Sequence, residues 1–293
     1  MSGEVTGPPA GLPEPRALRD AAAEIARAAG AVLLEGYGRA HAPEHKGRID
    51  LVTAFDRRSE ALVLGEIGRR YPDHAVLAEE SGARVGAARV RWIVDPLDGT
   101  TNFAHNYPFF AVSIGVEVDG ALAAGVVYDP VRDELFAAAA GHGATLNGAP
   151  IYVSPVTRVE GALLVTGFPY DVREDPERYL GPFRAFLLRA QGIRRDGSAA
   201  LNLCYAAMGR FDGFWERGLS AWDAAAGVLM VTEAGGRVTR FDGEPVDLDG
   251  REFLATNGAL HPEMMEVLAP FVEPRIGGRS APDVPGGGST DRV

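Results

Sequence analysis

The sequence has very little cysteine and no long hydrophobic run. Cys204 is the only cysteine among 293 residues, so neither an intrachain disulfide nor a cysteine-based metal site can form. No apolar stretch approaches the roughly 20 residues that a membrane-spanning helix needs. Residues 1–15 are rich in Gly, Pro and Glu and lack the basic-then-apolar pattern of a secretion signal. We therefore expect a cytoplasmic protein that does not bind a membrane.

Lysine is almost absent as well. Lys46 is the only lysine among 29 Lys and Arg residues. It does not follow a glycine, which excludes a phosphate-binding P-loop, and no G-x-S-x-G serine-hydrolase motif occurs. The six histidines show no metal-ligand spacing. Because an ammonium does not substitute freely for a guanidinium, we interpret Lys46 as a candidate functional residue.

Positive charge is also scarce relative to negative charge. The 40 Asp and Glu residues give a formal net charge of −11. Such a field repels nucleic acid, so we expect no nucleic-acid partner. A phosphorylated small molecule would be repelled too, unless a bound divalent metal or a local basic patch inverts the local charge.

Hydrophobic patterning predicts one folded region between two flexible ends. Residues 1–15 are predicted to form a disordered arm, and residues 273–293 a disordered tail of low complexity. Apolar residues at helical spacing predict helices, and short apolar runs bounded by turn residues predict strands. The predicted helices cover residues 16–38, 54–70, 176–190, 198–208, 222–234 and 262–272. The predicted strands cover residues 75–78, 92–94, 163–166, 211–215 and 253–255, with an antiparallel meander over residues 109–153.

This order of elements predicts an α/β or α+β fold in which helical layers pack against two sheets. We expect an N-terminal α+β half over residues 16–153 and a C-terminal α/β half over residues 154–272.

The densest group of polar residues is the segment DPLDGTTNF, residues 95–103. Asp95 follows a short apolar run, and the Pro and Gly after it favour a tight turn that would bring Asp98 near Asp95. Two carboxylates facing one space repel each other unless a cation joins them, and hard oxygen ligands select Mg²⁺. Gly99 and Thr100 can begin a helical turn whose free N–H groups bind phosphate. The alternative is a surface turn with Asp98 or Thr100 as a helix cap.

Three further segments place carboxylates at the ends of predicted elements. Glu79 and Glu80 follow a predicted strand, Asp56 lies in the first turn of a predicted helix, and Asp223 opens another helix. Each could supply a metal ligand or a catalytic group. Each also has a structural alternative: a solvated strand end, an interaction with the helix dipole, and the S-x-x-D capping box that Asp223 forms with Ser220.

Taken together, four segments resemble the inositol monophosphatase family: DLVTAFD (50–56), AEESG (78–82), DPLDGTTNF (95–103) and WDAAAG (222–227). They occur in the family's order and with compatible spacing. The resemblance spans roughly residues 16–272, which would form the catalytic domain. It implies a layered αβαβα sugar-phosphatase-type fold with two sheets between helical layers. It further implies two or three Mg²⁺ ions per site, a homodimer and inhibition by lithium.

The resemblance also implies a role for each matching residue. The metal ligands would be Glu79, Asp95, Asp98, Asp223 and the backbone carbonyl of Leu97. The attacking water would be oriented and deprotonated by Asp56 and Thr100, with Glu79 as a further catalytic group. The substrate would be bound by Lys46 at the mouth of the site, Asp98, the amides of Gly99 and Thr100, the strip Gly197, Ser198 and Ala199, and Glu216, which would contact sugar hydroxyls.

The function predicted in this way is hydrolysis of a small polyol phosphate, with myo-inositol 1-phosphate as the leading substrate. Histidinol phosphate, fructose 1,6-bisphosphate and 3′-phosphoadenosine 5′-phosphate remain alternatives with the same chemistry. Glu216 favours a hydroxyl-rich substrate over the nucleotide, because a carboxylate accepts hydrogen bonds from hydroxyls. A bisphosphate would need extra cations, which Arg173, Arg194 and Arg195 could supply. A non-catalytic binding or regulatory protein on the same scaffold is the alternative from another class.

Overall fold

A computed structural model of the chain describes residues 12–39, 44–45, 51–84 and 88–272. Lys46 lies outside the described residues, as do the predicted arm up to residue 11 and the predicted tail from residue 273. Statements about their roles therefore remain predictions.

The helices lie close to their predicted positions. Within the described residues they are α1 (Pro15–Gly36), α2 (Ala54–Arg70), α3 (Thr100–Ala104), α4 (Pro176–Leu187), α5 (Ala199–Ala207), α6 (Ala221–Glu233) and α7 (His261–Leu268), with 3₁₀ turns at Val159–Gly161, Leu248–Gly250 and Ala269–Phe271. The prediction for α2 is confirmed residue for residue. Thr53 caps the start of α2, and Pro72, two residues after its end, cannot continue a helix. None of these helices is long and apolar enough to cross a membrane.

The strands form two large sheets and one small hairpin. The strands are β1 (Glu44–His45), β2 (Leu51–Val52), β3 (Ala75–Ala78), β4 (Gly82–Arg84), β5 (Val90–Asp98), β6 (Ala111–Val118), β7 (Ala121–Asp129), β8 (Glu134–Ala139), β9 (Ala144–Leu146), β10 (Ala149–Pro150), β11 (Leu163–Thr166), β12 (Gly192–Arg194), β13 (Gly213–Arg217), β14 (Arg237–Thr239) and β15 (Glu252–Thr256). The first large sheet has the order β10-β9-β8-β7-β6-β5-β3-β4, and the second β12-β11-β13-β15-β14. The short strands β1, β2, β4, β12 and β14 were not predicted.

Three hydrophobic clusters define five layers. Helices α1 and α2 pack on one face of the eight-stranded sheet. Helices α5 and α6 lie between the two sheets and share a core with both. Helices α4 and α7 cover the outer face of the five-stranded sheet, where Phe186 and Met264 pack with Trp215 and Leu254. The predicted αβαβα arrangement is therefore confirmed.

The segment from Asp95 to Asp98 differs from its predicted form. It does not leave the sheet as a tight turn, because β5 continues through Asp98. Opposite β6, Asp95 pairs with Ser113 and Asp98 with Ala111, so β5 holds one extra residue between them. Residues three apart on a regular strand face opposite sides, and the extra residue of a bulge reverses this. The bulge thus brings both carboxylates to one side.

The ends of several elements meet beside this bulge. Strand β3 runs parallel to β5, so Glu79, directly after β3, lies at the same edge of the sheet. The N-termini of α5 and α6 carry Ser198 and Asp223 to this edge, and the second sheet contributes Glu216 from β13.

Candidate functional site

Three carboxylates from two distant parts of the chain meet at this edge. Asp95, Asp98 and Asp223 each place an oxygen such that all three oxygens lie within 4.8 Å of one another. Asp95 and Asp98 are buried, and Asp223 is half-buried. Asp223 also caps α6, because its Oδ2 accepts a hydrogen bond from the Ser220 N–H at 2.6 Å, so the helix cap and a place in the cluster are compatible.

Without a bound cation, the carboxylates of this cluster repel one another and lose contact with water, so their charged forms are disfavoured. Burial and the neighbouring carboxylates of Glu79, Asp98 and Asp223 raise the pKa of Asp95 well above its ordinary value. Burial raises the pKa of Asp98 to about 6, although hydrogen bonds from the Ser198 hydroxyl and the Ala200 N–H oppose the rise. Carboxylates in such surroundings gain most from a bound cation.

The donor set fits a hard divalent cation. The Asp98 Oδ2 accepts hydrogen bonds from the Ser198 hydroxyl at 2.6 Å and the Ala200 N–H at 2.8 Å. The Asp95 Oδ1 accepts one from the Leu97 N–H at 2.9 Å. Each carboxylate is thus oriented through one oxygen. An all-oxygen set without His or Cys suits Mg²⁺ better than zinc.

Glu79 lines the same cavity, and its charge raises the pKa of both Asp95 and Asp223. The buried carboxylate of Glu60, which the sequence analysis did not single out, supports the position of Glu79. The Oε2 of Glu60 accepts a hydrogen bond from the Glu80 N–H at 2.8 Å and so fixes the segment that carries Glu79. The sequence does show that Glu60 follows Asp56 by four residues on a predicted helix. This spacing places the two side chains on the same face of the helix.

Asp56 and Thr100 lie in direct contact beside the cluster. The Thr100 hydroxyl is 2.9 Å from the Asp56 Oδ1 and 3.1 Å from the Leu97 carbonyl oxygen. The Asp56 Oδ2 accepts hydrogen bonds from the N–H and the hydroxyl of Thr53 and closes the capping box of α2. Burial raises the pKa of Asp56, although these hydrogen bonds oppose it. Asp56 therefore fills a structural position and also reaches the site.

Gly99 occupies a position that only glycine fills. Its φ is 98°, in the left-handed region. A Cβ there would lie 3.0 Å from the Phe109 carbonyl oxygen and 3.3 Å from that of Gly197. This conformation starts α3 at Thr100, so the first N–H groups of that short helix lack helical partners.

A cavity of about 720 Å³ opens above these residues. Its lining includes all the predicted site residues within the described range except Asp56: Glu79, Asp95, Leu97, Asp98, Gly99, Thr100, Gly197, Ser198, Ala199, Glu216 and Asp223. Asp56 does not line the cavity and reaches it through Thr100. The structure thus gathers the predicted residues in one place.

Glu216 lies on β13 of the second sheet and lines the cavity. Burial and the charge of Asp223 raise the pKa of Glu216 well above its ordinary value, and the charge of Arg195 opposes this. The absence of a side chain at Gly167 makes room for this carboxyl. A Cβ there would lie 2.0 Å from the Glu216 Oε1.

Unsatisfied polar atoms concentrate in the cavity wall. Four buried side-chain N and O atoms of the described residues have no hydrogen-bond partner, and three of them are the Glu216 Oε2 and both amide atoms of Asn202. Buried polar atoms are rarely left unpaired, so we expect a ligand or water to bind at these three. The sequence analysis did not single out Asn202. The sequence indicates it only as a single amide side chain in the otherwise apolar helix ALNLCYAA.

Comparison with known proteins agrees with this geometry. The model of the inositol monophosphatase family matches residues 14–274. The inositol-1-monophosphatase of Synechocystis sp. is 49% identical over 251 residues, which cover 85% of this chain and 87% of that protein. The Nus factor SuhB of Pseudomonas aeruginosa is 42% identical over 262 residues, 87% of this chain and 97% of that protein.

A solved structure shares the fold. The inositol monophosphatase of Anabaena (Nostoc) sp. superposes with a TM-score of 0.80 at 47% identity, and the alignment covers 87% of this chain and 96% of that chain. With a family match over almost the whole described region, the chain belongs to the inositol monophosphatase family and is a phosphatase.

Proposed function

We propose that this phosphatase hydrolyses phosphate monoesters of small polyols with Mg²⁺, and that myo-inositol 1-phosphate is its leading substrate. The observation that carries the proposal is the convergence of Asp95, Asp98 and Asp223 within 4.8 Å beside the amides that follow Gly99.

Two or three Mg²⁺ ions would be held by the carboxylates of Glu79, Asp95, Asp98 and Asp223 and by the Leu97 carbonyl. Bound there, divalent cations supply Lewis acidity toward the phosphate oxygens and the attacking water. The hydrogen bonds to one oxygen of Asp95, Asp98 and Asp223 set the direction of the other oxygen. Such outer partners hold ligating carboxylates in place.

The proton of the attacking water passes to Asp56 through Thr100 in this proposal. The Thr100 hydroxyl donates to Asp56, so its oxygen can accept a hydrogen bond from the water. The raised pKa of Asp56 brings this carboxylate closer to the working pH, which favours a general base. Glu79 lines the same cavity and is assigned in this proposal to orienting the water as well.

The phosphate and the polyol would occupy different walls. The N–H groups of Gly99 and Thr100 at the start of α3 donate to phosphate oxygens. The Oε2 of Glu216 has no partner and can accept a hydrogen bond from a substrate hydroxyl. Gly197, Ser198 and Ala199 line the cavity between the two walls, and Lys46 remains predicted at the mouth.

The direct test replaces Asp95 by Asn. We expect turnover to fall at least about a thousandfold, because the several kcal/mol of charge stabilisation that the cations supply is lost with their ligand, while circular dichroism remains that of the wild type. Asp73→Asn, at an exposed position outside the cavity, is the matched control and retains activity. If Asp95→Asn keeps near-normal turnover, the metal assignment is wrong.

A second class of function is represented among the relatives, because several bear the name Nus factor SuhB. The carboxylate cluster favours catalysis for this chain, since a binding role alone would not need three mutually repelling carboxyls. Phosphate release from a panel of esters with Mg²⁺ separates the classes. If no ester is hydrolysed at any Mg²⁺ concentration, the binding role stands instead.

We also propose a cytoplasmic location, a homodimer and inhibition by lithium, as the family resemblance implies. Analytical ultracentrifugation tests the dimer. A loss of turnover with increasing LiCl, compared with the same concentrations of NaCl, tests the lithium effect.

A further inference from the structure

One side of helix α2 carries three buried polar side chains that contact the candidate site. Ser59 and Glu60 follow Asp56 by three and four residues, so all three lie on the same side of the helix. Asp56 contacts the hydroxyl of Thr100, and Glu60 contacts the segment that carries Glu79. The buried hydroxyl of Ser59 has no role in the proposed chemistry, so its contact needs a separate explanation.

The Ser59 hydroxyl contacts the bulge of β5. It donates a hydrogen bond to the Pro96 carbonyl oxygen at 2.8 Å, across 37 positions of the chain. A serine inside a helix can instead donate to a carbonyl in the preceding turn of its own helix. Both Ser59 and Pro96 are buried, and a buried carbonyl without a partner is unfavourable. The hydrogen bond therefore ties α2 to this part of the sheet.

The backbone of the bulge needs partners from outside the sheet, because a bulge interrupts the hydrogen-bond ladder. Pro96 lies in the bulge and has no N–H to donate, and the pairing of β5 with β3 ends at Val94. The Leu97 N–H is satisfied within the segment, by the Asp95 Oδ1 at 2.9 Å. The Pro96 carbonyl is satisfied by Ser59, so a second element holds the bulge in place.

The shape of the bulge determines the positions of three proposed cation ligands. Asp95 and Asp98 flank it, and the Leu97 carbonyl lies within it. The Pro96 carbonyl and the Leu97 nitrogen belong to one planar peptide group, so movement of one displaces the other. Removing a hydrogen-bond partner that orients metal ligands typically costs about 10- to 100-fold in metal affinity.

We infer that Ser59 is a positioning residue of the metal site. Its hydrogen bond to Pro96 holds the bulge of β5 and so fixes Asp95, Asp98 and the Leu97 carbonyl relative to one another. Ser59 does not line the cavity, so it acts only through these groups. The inference rests on the metal assignment in the proposed function and adds a residue that determines Mg²⁺ affinity.

The test is Ser59→Ala, which removes the donor and keeps a good helix former in α2. Calorimetric titration of the substrate-free protein with Mg²⁺ measures the affinity. We expect Kd for Mg²⁺ to rise about 10- to 100-fold, while KM for myo-inositol 1-phosphate at saturating Mg²⁺ changes less than about twofold.

Thr145→Val is the matched control. The Thr145 hydroxyl also donates to a backbone carbonyl oxygen, that of Ala137 at 3.1 Å, and it does not line the cavity. This variant loses a hydrogen bond of the same kind, so its effect on stability should resemble that of Ser59→Ala. Its Mg²⁺ affinity should remain that of the wild type.

Hydrogen exchange of the Leu97 N–H tests the contact without cation or substrate. This N–H donates to Asp95 within the bulge, so a loosened bulge exposes it to solvent. In metal-free Ser59→Ala we expect it to exchange about tenfold faster relative to the amides of α1, the equivalent of one hydrogen bond. In Thr145→Val the ratio should not change.

Wild-type Mg²⁺ affinity in Ser59→Ala would overturn the positioning role and leave the phosphatase proposal intact, whether or not the Leu97 exchange is faster. If the wild type binds Mg²⁺ at least tenfold more tightly than Ser59→Ala but hydrolyses no ester, the proposed function fails and the positioning role stands. If the wild type binds no Mg²⁺, the metal assignment and this inference both fail.

Discussion

The hydroxyl of Thr100 lies 2.9 Å from the Oδ1 of Asp56, a residue 44 positions earlier in the chain. The other oxygen of Asp56 accepts hydrogen bonds from the N–H and the hydroxyl of Thr53, at 2.8 and 2.6 Å. One carboxylate therefore begins a helix and also reaches the candidate site. The two functions use different oxygens, so they can be separated by mutation at Thr100.

Thr100→Val keeps the shape of the side chain and removes the hydroxyl. We expect kcat to fall by about 10²- to 10⁴-fold, as for loss of general acid–base assistance, with little change in KM. Thr100→Ser restores the hydroxyl and should keep turnover within about tenfold of the wild type. Steady-state kinetics of all three proteins decide the matter, and wild-type kcat in the valine variant would contradict a role for this hydroxyl.

Gly167→Ala tests the position of Glu216 without changing its chemistry. The added Cβ would lie 2.0 Å from the Glu216 Oε1, so the carboxyl must move. We expect KM for polyol phosphates to rise about tenfold, the loss that corresponds to one hydrogen bond to a charged group, and we expect the same in Glu216→Gln. Gly161→Ala is the matched control, because a Cβ at Gly161 meets nothing within 4 Å. Unchanged KM in Gly167→Ala would argue against substrate contact by Glu216.

Asn202→Leu removes two buried polar atoms that have no partner. Leaving such a group unpaired costs about 1–3 kcal/mol, and leucine has a similar shape. We expect the melting temperature to rise and kcat/KM to fall, because the cavity wall loses a donor and an acceptor. Differential scanning calorimetry and kinetics measure the two effects. Higher stability with unchanged kcat/KM would show that Asn202 binds no ligand.

Stability of the metal-free protein should depend on pH through Asp98. Burial raises its pKa from 3.8 to about 6 in the native state, so between these values the native state binds more protons than the unfolded state. Stability then falls as pH rises through this window. With a chelator present, Asp98→Asn should therefore gain stability over the wild type as pH rises from 4 to 6. Added Mg²⁺ should reverse the order at pH 7, because it binds the native wild type.

His261 contributes a dependence of opposite sign. It is fully buried, with its Nε2 2.9 Å from the Thr239 hydroxyl and its Nδ1 3.0 Å from the Thr256 hydroxyl. Burial lowers its pKa from 6.5 to about 4, so the unfolded state binds more protons in that range and stability falls as pH falls. His261→Gln should lose less stability than the wild type between pH 6.5 and 4. If denaturation shows that both proteins lose the same free energy of unfolding between pH 6.5 and 4, this prediction is wrong.

Local sequence signals determined most of the fold. Helix α2 was predicted residue for residue because its cap at Thr53 and its end before Pro72 are local. The antiparallel meander was predicted because turn residues such as Asp119, with a φ of 53°, and Gly120, with a φ of 79°, adopt conformations that few other residues favour. Strands β1, β2, β4, β12 and β14 were missed, since each has only two or three residues and is defined by its neighbours in the sheet.

By itself, the sequence determined which residues could form the site, because carboxylates at the ends of predicted elements and the four segments that resemble one family are visible along the chain. Only the tertiary structure decided how they meet. The bulge in β5 that turns Asp95 and Asp98 to one side depends on pairing with β6. The space at Gly167 for Glu216 and the unpaired amide of Asn202 depend on contacts between residues far apart in sequence. Burial, distance and unpaired polar atoms are properties of the packed chain, and no local pattern encodes them.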